Sequence, residues 1–120
     1  MSGLVNVSAD ARSKTIGQNF RVRAWVTFNQ DSSQSIIASG NVSSLTDQGD
    51  GNTQINFTEA MPDAKYMVAG STVGSTDVSY ACIINGQGHA NDALFCRVQS
   101  RNVSNSTLID MENVSICIIR

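Results

Sequence analysis

From Phe20 to Phe28 the chain alternates without a break: Phe20, Val22, Ala24, Val26 and Phe28 are apolar, and Arg21, Arg23, Trp25 and Thr27 stand between them. A period of two held over nine residues puts five apolar side chains on one face of an extended strand and excludes a helix there. The opposite face is an unusual row for open solvent. A tryptophan flanked by arginines calls for cover by a loop, a second sheet or another subunit. Cover from the chain itself is the first expectation, and Arg23 and Trp25 are the candidate residues for packing against another subunit.

The same strand-and-turn grammar runs through the rest of the chain. A polar loop from Asn29 to Ser35 precedes Ile36 to Ser39. Asn41 to Thr46 and Thr53 to Thr58 flank Asp47-Gln48-Gly49-Asp50-Gly51-Asn52, which predicts a hairpin closed by a six-residue loop. Pro62, the sole proline, ends that strand and starts a turn. Further strands are expected over Lys65–Val73, Val78–Ile84, Ala93–Val98 and Val114–Ile119. Their connections are Gly74–Asp77, Asn85–Asp92 and a polar run from Ser100 to Ser106. No stretch has a sustained helical period, although Ala9 to Gln18 could form a helical turn. About eight short strands separated by turn signals predict an all-β fold, an antiparallel β-sandwich of jelly-roll or immunoglobulin-like type. With 120 residues, the chain is read as one domain over 1–120, long enough to bury roughly two-thirds of its unfolded surface.

Composition narrows the function classes. Charged residues are only 15% of the chain, while Ser, Asn and Thr together make 35 of 120 residues, so neutral groups must supply the polar surface. The net charge of -2 and a pI near 5.1 leave no electrostatic footprint for nucleic acid. No apolar run approaches the ~20 residues of a membrane helix, so no membrane insertion is expected. Met1 to Asn6 has neither a charged start nor an apolar stretch and is not expected to act as a secretory signal. The sequons beginning at Asn6, Asn41, Asn102 and Asn113 are accordingly read as polar-apolar alternation.

Catalytic constellations are missing from the pattern, and no enzyme is expected. His89 is the only histidine and lies in a loop between two strands. Cys82, Cys96 and Cys117 match no zinc or disulfide spacing and read as buried free thiols in a reducing compartment. Cys96 is expected to share a core-facing row with Leu94 and Val98. The Asp47–Asn52 loop lacks the ligand rhythm and closing Glu of a calcium loop. Gly86-Gln87-Gly88 has no following helix to complete a phosphate cradle. Neither a metal nor another cofactor is expected.

Several blocks, taken as a set and in order, resemble a known domain. They are Ala11–Ile16, Arg23–Asn29, Ser39–Asp47, Asn56–Tyr66 and Ile116–Arg120. Together they are similar to a small β-domain of tail-fibre-like and other virion surface proteins of tailed bacteriophages. The similarity covers most of residues 9 to 70 and then the final strand. It departs from the pattern after Asn29, where Gln30–Ser35 replaces a short Gly/Thr loop, and in that the domain usually caps a longer chain.

The resemblance implies a non-enzymatic virion component, made in the host bacterial cytoplasm and commonly a homotrimer, whose partners are other virion proteins. Two roles follow from it. One is a tail-fibre-type tip or adhesin that contacts a host cell-surface glycan through Thr72–Tyr80 and Asn85–Asp92, with Tyr80, His89 and Asn91 as candidate contacts. The alternative is a capsid decoration or head-fibre protein that docks on the phage head and stabilises it.

Overall fold

The computed structural model describes residues 21–31, 33–73, 81–85 and 91–120, with only the backbone of 82, 84 and 85. The expected helical turn at Ala9–Gln18 lies outside these residues. Eight strands are formed: β1 (Val22–Asn29), β2 (Ser35–Gly40), β3 (Val42–Asp47), β4 (Asn52–Phe57), β5 (Met67–Thr72), β6 (Ala81–Asn85), β7 (Phe95–Asn102) and β8 (Val114–Ile119). They build two antiparallel four-stranded sheets in the orders β2-β1-β8-β5 and β3-β4-β7-β6. The described fold is thus all-β and sandwich-like, with one core shared between the sheets.

Alternation decides which side chains enter that core. Ala24, Val26 and Phe28 from β1 meet Val114, Ile116 and Ile118 from β8, while Ile55 and Phe57 from β4 face Cys96 and Val98 from β7. All these residues are buried. Met61, Tyr66 and Met111 close the ends of the core from connecting segments. The Tyr66 ring meets Phe57 edge-on, with centroids 5.8 Å apart. Its hydroxyl lies 2.8 Å from the carbonyls of both Asp92 and Phe95 and shares its one proton between them, tying the β4–β5 connection to the turn that enters β7.

The 47–52 hairpin forms as expected between β3 and β4, with Thr46 opposite Gln54 and Leu45 opposite Ile55. Gly49 and Gly51 both have positive φ, and Gly51 is packed so closely that an added Cβ would lie 2.5 Å from the Ile109 backbone nitrogen. A side chain at this position is therefore excluded by space as well as by φ. Asn41 (φ 58°) carries the chain from β2 in one sheet to β3 in the other in a single residue. Its side-chain amide donates to the carbonyls of Arg23 and Glu59, and its Oδ1 accepts from the Glu59 amide. These bonds hold a left-handed conformation that asparagine tolerates better than most residues.

Four expectations from the sequence are corrected. Val22 does not join the inward row of Ala24, Val26 and Phe28: the register shifts between Val22 and Ala24, and Val22 is left 54% exposed. Ser100 is not the start of a polar loop: β7 continues to Asn102, and Ser100 is fully buried. Gln30, placed in the loop after β1, is 1% exposed because its side-chain amide and carbonyl are both met from inside the fold. Leu94 does not share the inward row of Cys96 and Val98; it precedes β7 in a turn and is 61% exposed.

Candidate functional site

The residues singled out from the sequence fall in two regions. The first is the pair of connections between β5 and β6 and between β6 and β7, most of which lies outside the described residues. Tyr80 and His89 lie outside the described residues. Asn91 is half-buried, and its Oδ1 is a buried atom without a hydrogen-bond partner among the described residues. The chain just after it is tightly fixed: the Asp92 amide donates to the Phe95 carbonyl, Asp92 Oδ1 accepts from the Leu94 amide, and Tyr66 holds both carbonyls. Burial inside this arrangement pushes the Tyr66 hydroxyl above its usual pKa, so it acts as a neutral donor.

The second region is the outer face of the β2-β1-β8-β5 sheet. Residues that alternate with the buried ones line up across its four strands. One row is Gly40, Trp25, Cys117 and Ala69; the next is Ala38, Thr27, Ser115 and Ser71. Not one of these eight side chains bears a formal charge. Thr27 Oγ1 and Ser115 Oγ lie 3.1 Å apart and satisfy each other. Trp25 stands above this floor of small residues and remains 43% exposed. Its indole leans toward β2, where a Cβ on Gly40 would lie within van der Waals overlap of Nε1. On the other side of the indole, Ala69, Ser71, Ser115 and Cys117, together with Thr27 and the indole itself, line an open groove of about 470 Å³ over β1, β8 and β5.

The described residues supply no loop or second sheet over Trp25, so the cover expected from the chain itself is not found among them. Arg23 and Trp25 are also separated. The register shifts between Val22 and Ala24, and this irregularity turns Arg23 to the sheet end, where its Nε donates to the Arg120 carbonyl at 2.8 Å. There it shares a small polar hollow with Arg21, Asn41 and Glu59. Beside it, Arg120 grips Asp63 through two hydrogen bonds of 3.1 and 2.9 Å. That grip, helped by the Lys65 amide, draws the Asp63 carboxyl down to about 2.

Cys96 is fully buried, and desolvation pushes its thiol up to about 12, which removes the thiolate a nucleophile would need. Cys117 is half-buried on the outer face and not in the core. No group of three or more His, Cys, Asp or Glu residues is positioned to hold a metal ion among the described residues.

The feature that sequence reasoning missed is a buried polar node between the sheets. Gln30 Nε2 donates to Thr53 Oγ1 (3.1 Å), and Gln30 Oε1 accepts from Ser100 Oγ (2.8 Å) and the Met111 amide (3.0 Å). Thr53 Oγ1 in turn donates to Gln34 Oε1 at 2.7 Å. The sequence gives a single signal for it, a glutamine immediately after an unbroken strand pattern. Comparison of the chain with protein-family models, with curated proteins and with solved structures finds no match to any of them.

Proposed function

We propose that this chain is a non-enzymatic structural protein of a tailed-bacteriophage virion, displayed on the particle surface as a tail-fibre-type tip or adhesin and assembled as a homotrimer. The observation that carries the reading is where the phage-like blocks fall. They supply Ala24, Val26, Phe28, Phe57, Met61, Tyr66, Ile116 and Ile118, all core residues. The resemblance therefore lies on the scaffold, and the segments assigned to host contact, 72–80 and 85–92, are left to vary as connections between strands. Tyr80, His89 and Asn91 are the proposed contacts to a cell-surface glycan. Many copies of a weak contact on one particle give avidity without a tight single site. The long return that lays β8 beside β1 is the kind of connection Greek-key sandwiches use, and it supports the finer jelly-roll or immunoglobulin-like reading.

The uncharged face around Trp25, which no other described residues cover, favours a second reading, a decoration or head-fibre subunit docked on the capsid. Immunogold electron microscopy of intact virions with antibody to this chain separates the two. Label at the tail end is the expected result, and glycan binding would then be lost in a His89→Ala, Asn91→Ala double variant. Label over the head would replace the adhesin role by decoration, and absence of label from purified particles would overturn both.

A further inference from the structure

The outer face of the β2-β1-β8-β5 sheet is complementary to itself. Its midline runs between β1 and β8, the two central strands. On one side of that line stands the only large raised side chain of the two rows, Trp25, leaning over Gly40. Beside the indole, a groove of about 470 Å³ runs from Trp25 and Thr27 on β1 across the midline to Ser115 and Cys117 on β8 and Ala69 and Ser71 on β5. A two-fold axis laid along the strands at the midline exchanges the two sides. It places each indole over the groove of the other copy, as an isologous contact requires.

From this arrangement we infer that a second copy of this chain covers the Trp25 face, each Trp25 indole seated in its partner's β8–β5 groove. Charge supports this occupant. The rows carry no charged side chain, so a charged partner would lose hydration there without gaining a counter-ion, whereas a second copy brings an equally neutral surface. Exposed Val22 and Met67 extend the apolar area past the first row, flanking Ile119 in register.

Area sets the strength. Four strands spaced ~4.8 Å apart and about 20 Å long give a face of roughly 400 Å² per copy, about half of what a stable specific interface buries on each partner and within the range of weak, transient contacts. The contact is therefore weak and concentration-dependent. Knob and groove share one flat face, so the contact closes on two copies and cannot close a ring of three. In a trimer built through other surfaces it would join two trimers. This inference does not depend on the virion reading.

Trp25 is the only tryptophan, so emission excited in the tryptophan band, where the two tyrosines do not absorb, reports on this face alone. The test is sedimentation velocity of the whole chain over a hundred-fold concentration range, with emission recorded on the same samples. Expected are a mass rising toward an even multiple of 12.8 kDa and a blue shift of emission in parallel. Ala69→Arg should abolish both, while Leu94→Arg, at an exposed position outside this sheet, should leave both unchanged. Three results would overturn the inference: a chain that stays monomeric throughout, association without any change in Trp25 emission, or an emission shift that appears only when an oligosaccharide is added. The wild-type record stands even if Ala69→Arg fails to fold.

Discussion

Gln30 and Trp25 lie five positions apart at the end and the middle of one strand pattern, and polarity alone would exchange them. The amide is buried between the sheets, and the indole stands half-open on the outside. Burial of Gln30 is tolerated because its carbonyl and amide find three partners on three other segments, so no polar atom of the side chain loses water without replacement. Trp25 is outside because alternation is rigid: with Ala24 and Val26 committed to the core, the residue between them must face away. Within a strand, periodicity outranks hydrophobicity; beyond its end, hydrogen-bond completeness decides.

The largest expected effect breaks the inner half of this contrast. Gln30→Ala removes one partner each from Thr53, Ser100 and the Met111 amide and leaves a void, and should cost about 3–5 kcal/mol in urea unfolding. A loss below about 1 kcal/mol would mean that water can replace the amide. Next comes the turn beside that node. The Gly51 carbonyl accepts from the Ser100 amide, and its own amide donates to Asp110. Gly51→Ala should cost on the order of 3 kcal/mol, since both φ and the Ile109 backbone oppose a side chain.

Core burial of Cys96 predicts a pH dependence. Its thiol pKa is raised in the folded state, so its contribution to stability is complete below 9.0 and is lost as pH rises toward about 12. The unfolding free energy should fall across that window by roughly 4 kcal/mol, and Cys96→Ala should reduce the slope. Tyr66, also raised by burial, adds to the same alkaline loss. The smallest effect on folding is expected outside: Trp25→Ala should cost only about 1 kcal/mol in the dilute protein because the side chain is already 43% exposed. Its consequence should fall on assembly, with glycan binding per copy unchanged. A mutant that assembled normally would move Trp25 out of any subunit contact.

How much of this could be read in the sequence follows from the range of the interactions. Ala24, Val26, Phe28, Ile55, Phe57, Ile116 and Ile118 were legible because each lies in a local alternating pattern that a sheet must bury on one side. The hairpin around Gly49 and Gly51 was legible for the same reason, through residues that permit positive φ. The Gln30 node was not, since its partners stand 23, 70 and 81 positions away and no local pattern records that they meet. Ser100 was misread as loop for that reason: its neighbours are polar, and what makes it core is Gln30. At the candidate sites, the unusual outward position of Trp25 was legible, but its separation from Arg23 was not, because a one-residue irregularity between Val22 and Ala24 leaves no mark in the alternation.

The pairing of Arg21 with Arg120 has a mechanical consequence. Each donates its amide to the other's carbonyl, and from there β1 and β8 run antiparallel side by side. Opposite forces applied at these two residues would pull across the ladder at its open end, so its hydrogen bonds would bear the load one after another and part like a zip. Force entering at the far end of β1 and leaving through Arg120 would instead run along the strands and load all those bonds at once. The same sandwich would then yield readily in one direction of pull and resist in the other.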